Sequence, residues 1–225
     1  MEKIKIDIIS DTVCPWCYVG IKNLEKGLEP LKSKYEFDIE WHPFQLNPGM
    51  SDEGLEYKEY LEKTLGNRTN EAKKAVQEKG TEAGINFQFD KIDSISNTLR
   101  SHYLVALAKI ENKQTEVAKA LYKAFFEEGK NINSIPELKQ IGERSGLSSA
   151  LLDNLDALQE RDLLMLVQAE EGFRELGIAS VPSFVIDSQF LVQGAQDPEV
   201  FTDVIQKIMN PEKESGCGCG SDGCC

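Results

Sequence analysis

Apolar and polar positions change period several times along this chain, and the changes divide it. The run Ile4-Lys5-Ile6-Asp7-Ile8-Ile9 reads as a strand. Beyond residues 14–17, Tyr18, Ile21, Leu24, Leu28 and Leu31 recur at helical spacing, with Pro30 near the helix end. Phe37-Asp38-Ile39-Glu40-Trp41 alternates with period two, a second strand, and the stretch from His42 to Gly49 breaks regular structure with two prolines and a glycine.

From Ser51 to Leu176 the period is helical. Ser51 with Glu53 reads as a helix start, and residues 71–83 form a helix stopped by Gly84. Leu99, Tyr103, Leu104 and Leu107 mark a helix beginning after Asn97, and residues 115–128 continue in the same style up to Gly129. Ser134 caps a helix with Pro136 just inside it, and residues 148–158 and 161–176 complete the block. Strand signals then return at 182–186 and 189–193, joined by a turn at Asp187-Ser188. Gly194 ends this hairpin, and Asp197-Pro198-Glu199 opens a last helix through Met209. The order is strand, helix, strand, many helices, hairpin, helix. It implies an α/β fold whose outer parts, 1–50 and 177–209, form one small mixed sheet domain with a helical domain, 51–176, inserted between them. Residues 210–225 form a glycine- and cysteine-rich tail that reads as disordered without a ligand.

Composition narrows the function classes. The chain has 225 residues, 40% of them hydrophobic, as in ordinary globular proteins. Its net charge of −13 argues against nucleic acid and anionic membrane surfaces as partners. No apolar run approaches 18 residues, and Met1-Glu2-Lys3-Ile4-Lys5 lacks the apolar segment of a secretory leader, so a cytoplasmic location is expected.

The six cysteines carry the chemistry. Cys14 and Cys17 form Cys14-Pro15-Trp16-Cys17 where the first strand gives way to a helix; Cys217, Cys219, Cys224 and Cys225 crowd the C-terminus, and none lies between Tyr18 and Gly216. A disulfide-stapled fold would spread its bridges through the chain. Two thiols three residues apart can instead close a reversible disulfide. At a helix N-terminus, N–H groups and the helix dipole favour a thiolate, the reactive form of cysteine. Pro15 suits the first helical position, where no N–H is needed. Cys14 is expected to attack and Cys17 to resolve, with Pro15 and Trp16 tuning the redox poise. A competing reading makes Cys14 and Cys17 half of a structural zinc site completed from the tail.

With these motifs in view, the chain resembles the DsbA family of the thioredoxin superfamily, and within it the FrnE-like dithiol-disulfide isomerase branch. The resemblance covers residues 4–209. It rests on Asp11-Thr12-Val13-Cys14-Pro15-Trp16-Cys17-Tyr18-Val19-Gly20, Pro43-Phe44-Gln45-Leu46-Asn47-Pro48, Asn97-Thr98 with His102, Ala124-Phe125-Phe126-Glu127-Glu128-Gly129, Ser180-Val181-Pro182-Ser183-Phe184-Val185 and Gly194-Ala195-Gln196, in that order. It implies a thioredoxin-like fold with a large helical insertion and a cis bond between Val181 and Pro182, in a loop lying against the cysteines and able to pair with a substrate backbone. It also implies an enzyme acting on protein or small-molecule thiols and disulfides, glutathione among them, with no cofactor required.

Two other functions compete. Relatives of the 2-hydroxychromene-2-carboxylate isomerase and kappa-class transferase type use glutathione on the same architecture, but typically carry serine where Cys14 stands. The tail offers the other: Cys217, Cys219, Cys224 and Cys225 could hold zinc or copper, act as an extra redox relay, or have no defined partner. Among single residues, Trp16 and Tyr18 either face substrate or pack locally. His42 and His102, the only histidines, could reach the chemistry or belong to packing, and Asp11 reads mainly as a capping residue.

Overall fold

The computed structural model describes residues 1–210. β1 (Glu2–Ser10) is an inner strand of a four-stranded sheet and is followed by α1 (Pro15–Leu28) and β2 (Tyr35–Pro43). β1 and β2 run parallel, so α1 is the crossover that parallel neighbours require. The hairpin of β5 (Ser183–Ile186) and β6 (Phe190–Gln193) joins the other side of β1 antiparallel, giving the order β2-β1-β5-β6. The inner position explains the near-continuous burial of Ile4, Ile6, Ile8 and Ile9, since a strand covered on both faces has no solvent side to leave polar. Asp187 and Ser188 both take positive φ in the three-residue connection, where the Gln189 N–H donates to the Ile186 carbonyl at 3.1 Å.

Between β2 and β5 lie β3 (Leu55–Glu56), α2 (Tyr57–Leu65), α3 (Thr69–Ala83), β4 (Ser94–Ile95), α4 (Leu99–Ala108), α5 (Gln114–Phe126), α6 (Ile135–Arg144), α7 (Ser149–Leu152) and α8 (Glu160–Glu175); α9 (Pro198–Met209) closes the described chain. The helix expected from Ser51 begins instead at Tyr57. The Ser51 hydroxyl and carbonyl both accept from Gly54 N–H, forming a turn, and Leu55–Glu56 pair with Ser94–Ile95 as a short ribbon. Ser134 does stand before α6, but its side chain makes no cap hydrogen bond.

One hydrophobic core runs through the sheet and the helical segment alike, from Ile6 and Phe184 to Phe125, Leu138 and Leu152. α1 packs on α9, where a Cβ on Gly27 would stand 2.4 Å from the Pro198 carbonyl oxygen; only glycine permits that approach. α4 and α8 pack against β2. At Trp41 the outer edge of β2 is closed by one side chain: buried Gln114 accepts from Trp41 N–H at 3.3 Å and donates to its carbonyl at 3.4 Å. Among the described residues no helix is long and apolar enough to cross a membrane.

Candidate active site

The β1–α1 junction builds the site. Cys14 is the N-cap of α1 with extended backbone (φ −90°, ψ 112°), and Pro15 occupies the first turn. The Cys14 N–H donates to the Asp11 carbonyl at 3.0 Å, and the Cys14 carbonyl accepts from Cys17 N–H at 3.1 Å, so backbone bonds fix both ends of the motif. Both cysteines are free thiols and both are buried, Cys14 at 4% exposure and Cys17 at 0%. Burial pushes the Cys17 thiol well above the ordinary cysteine range; its hydrogen bond to the Cys14 sulfur and the charges of Cys14 and Asp11 push the same way. Cys17 therefore holds its proton at neutral pH. Trp16, between them, is 37% exposed, whereas Tyr18 is buried and stacks on Tyr122 with ring centroids 5.3 Å apart. Of the two aromatics weighed for substrate contact, only Trp16 has surface to offer.

The Val181–Pro182 bond is cis. The Pro182 carbonyl accepts from Gly194 N–H at 2.8 Å, and Asn23 on α1 donates to the Gln196 carbonyl at 2.9 Å, so the hairpin end is tied to the helix that carries the cysteines. Gly20, one turn after Cys17, makes this fit: a Cβ there would lie 2.9 Å from Pro182 Cγ. Val181 is half-buried against the core that includes Cys14 and Cys17.

Asp11 does more than cap. It is 1% exposed; Oδ2 accepts from Leu46 N–H at 2.8 Å, Oδ1 from Val13 N–H at 3.4 Å, and its carbonyl accepts from the Tyr122 hydroxyl at 3.0 Å. His102 of α4 brings Nε2 to 3.5 Å from Asp11 Oδ1. Beside it, the Thr12 and Ser101 hydroxyls are hydrogen-bonded at 2.7 Å. None of these long-range partners carries a local sequence signal, apart from His102 and Leu46 falling in motifs already noted.

His42 lies in a different group, with Nε2 2.7 Å from Asp7 Oδ1. Asp7, Glu40 and His42 are the only side chains among the described residues that bring three candidate metal-ligand atoms within 4.8 Å of one another, so Cys14 and Cys17 do not belong to such a set there. The Lys5 ammonium already stands 2.9 Å from Asp7 and 3.4 Å from Glu40. The tail cysteines Cys217, Cys219, Cys224 and Cys225 lie outside the described residues.

Comparison with known proteins agrees with this architecture. Residues 5–206 match the DSBA-like thioredoxin domain. The uncharacterized protein YwbO of Bacillus subtilis (strain 168) is 27% identical over 206 residues, 90% of this chain and 96% of YwbO. Among solved structures, the probable DsbA oxidoreductase SCO1869 of Streptomyces coelicolor superposes with a TM-score of 0.82 at 24% identity, over 99% of this chain and 98% of its own. The cytosolic disulfide reductase DsbM of Pseudomonas aeruginosa, solved with GSH, gives a TM-score of 0.67 at 17% identity over 92% and 99%. A 2-hydroxychromene-2-carboxylate isomerase gives 0.71 at 13% over 92% and 97%.

Proposed function

This chain belongs to the DSBA-like thioredoxin domain family, and from that premise we propose that it is a thiol–disulfide oxidoreductase or isomerase in which Cys14 is the nucleophile and Cys17 the resolving thiol. One observation carries the reading. The two thiols occupy unlike settings a single turn apart, Cys14 at the N-terminus of α1 and Cys17 sealed beneath it with its ionisation opposed.

The Cys14 thiolate attacks one sulfur of a substrate disulfide, and the other sulfur leaves as a thiolate. Cys17 then attacks Cys14 Sγ, releasing the second substrate thiol and closing Cys14–Cys17. Run in reverse, the same steps oxidise a dithiol. All electrons move between sulfurs, so the chemistry calls for no cofactor. The exposed Trp16 supplies apolar contact beside the thiols, and the backbone at Val181–Pro182 offers strand-like pairing to an extended substrate. Protein or small-molecule disulfides are the substrate class. Glutathione fits as the regenerating thiol, and the cytoplasm as the location; DsbM, a cytosolic disulfide reductase of the same fold solved with GSH, supports both assignments.

The fold shared with 2-hydroxychromene-2-carboxylate isomerase favours a second reading, glutathione-dependent isomerisation. A glutathione redox titration with mass-spectrometric mapping of the cysteines separates the two. The oxidoreductase reading expects reversible closure of Cys14–Cys17, loss of exchange in Cys14→Ser, and an accumulating mixed disulfide in Cys17→Ser. Exchange that persists unchanged in Cys14→Ser overturns it. Isomerisation that survives loss of both thiols supports the second reading.

A further inference from the structure

Cys17 must lose its proton to resolve a mixed disulfide, yet it has no contact with solvent. The ionisable groups whose charges act on it are Cys14 and Asp11, and it acts in turn on Tyr122. Tyr122 is no acceptor: its hydroxyl donates to the Asp11 carbonyl at 3.0 Å, and burial holds its own proton in place. The Asp11 carboxylate remains. On its far side stands His102, 4% exposed at its side chain, whose Nε2 is buried without a hydrogen-bond partner. A buried polar nitrogen left unpaired is destabilising, so its retention calls for a reason. His102 also lines a cavity of about 20 Å³, together with Ser10, Thr12, His42 and Tyr122. That is room for one water; Trp41, Pro43, Val105, Ala106 and Ala118 make the apolar part of the wall, and the hydroxyls and imidazoles offer the water its polar partners.

We propose that His102 is a positioning residue for the resolving step, relaying the Cys17 proton from Asp11 to this cavity; the proposal rests on the thiol–disulfide reading above. The Cys17 thiol gives its proton to the Asp11 carboxylate. Its sulfur forms the bond to Cys14 Sγ, and the bond from Cys14 to the substrate sulfur breaks, its electron pair leaving on the substrate. His102 takes the proton from Asp11 and passes it to cavity water, returning the carboxylate to its charged form. Two electrons pass from the dithiol to the substrate disulfide, and the substrate thiolate is protonated from solvent. Asp11, before α1, faces His102 directly, Thr12, Tyr122 on α5 and His42 on β2 line the cavity with it, and Ser101 is hydrogen-bonded to Thr12.

The test uses the full chain with His102→Gln and, as a second variant, His102→Asn. Each reduced protein is mixed with oxidised glutathione, quenched in acid at intervals and weighed, so that formation and decay of the Cys14–glutathione adduct are read separately across pH. The expected result is adduct formation at the wild-type rate and decay slowed roughly a hundredfold near pH 7, the low end for loss of a positioned proton-transfer group. Decay in the variants should keep rising with pH where the wild type has levelled, and the Cys14–Cys17 midpoint potential should not move. Decay at the wild-type rate at every pH overturns the relay. So does a joint change in adduct formation, decay and potential, which marks a structural role. Cys14→Ser, run in parallel, keeps the two claims apart. If it retains exchange, the function reading falls; if it is inactive while His102→Gln decays normally, only the relay falls.

Discussion

Among the described residues two aspartate–histidine pairs, whose aspartates lie four residues apart in the chain, are built in opposite ways. Asp7 and His42 meet at 2.7 Å, with the His42 ring against Phe173 and with Lys5 and Glu40 in reach; Lys109 pairs with Glu40 in turn. Every charge there has a counter-charge and some water. Asp11 and His102 stand 3.5 Å apart at 1% and 4% side-chain exposure, and the carboxylate is held by the N–H groups of Leu46 and Val13. Dipoles stabilise an anion without neutralising it. The first arrangement fixes β2 to β1; the second leaves a buried carboxylate beside an imidazole that lines a small cavity, the kind of setting in which a carboxylate can serve chemistry.

Substitutions can break or sharpen this contrast. The largest difference is expected between the aspartates. Asp11→Ala strands the buried N–H of Val13 and the partly buried N–H of Leu46 and should cost about 2–3 kcal/mol in urea denaturation together with most of the exchange activity. Asp7→Ala leaves partners that still have Glu40 and solvent, and should cost roughly 1 kcal/mol or less with exchange unchanged. Equal losses would erase the distinction. Next, His102→Leu removes an unpartnered buried nitrogen, so stability should stay within about 1 kcal/mol of the wild type while adduct decay slows. A large loss of stability there would mean that the imidazole is a packing element.

The smallest effect is electrostatic and belongs to the outer pair. The Lys109 hydrogen bond holds the Glu40 carboxyl below its ordinary range, helped by the charges of His42, Lys109 and Lys5. A depressed folded-state pKa stabilises above the unfolded value, about 4.3 for a glutamate, and that stability is lost as pH falls through the folded value. Glu40 is partly exposed and its partner Lys109 more so, so the contribution should be below about 1 kcal/mol, and Lys109→Met should flatten the acid limb of the stability curve. An unaltered acid limb would show that the lysines contribute nothing there.

Much of this was legible in the sequence because the signals are local. The Cys14-Pro15-Trp16-Cys17 turn, the alternation in β2, the hairpin around Asp187-Ser188 and the helices ended by Gly84 and Gly129 each depend on neighbours within a few residues. What escaped depends on distant partners. Leu55 pairs with Ile95 through strands of two residues, too short for any period to show, and Ser51, four places before Leu55, mimics a helix cap. Asp11 looks like a capping residue because its second oxygen is engaged by Leu46, after a whole helix and strand have intervened. Gly20 sits inside a helix where propensity disfavours it, and only the approach of Pro182 supplies the reason.

The Gln114 amide has a consequence beyond the fold. An outer strand with free N–H and C=O groups is a template on which another molecule's strand can grow. By occupying both groups of Trp41, one side chain does what a further strand would otherwise do, at the height where β2 carries its most buried aromatic residue. Sheet extension from one molecule to the next is thereby blocked at that point. The same amide also donates to the Val105 carbonyl at 3.2 Å, so the guard on the sheet edge is anchored in the helical segment and is lost only if that segment comes away.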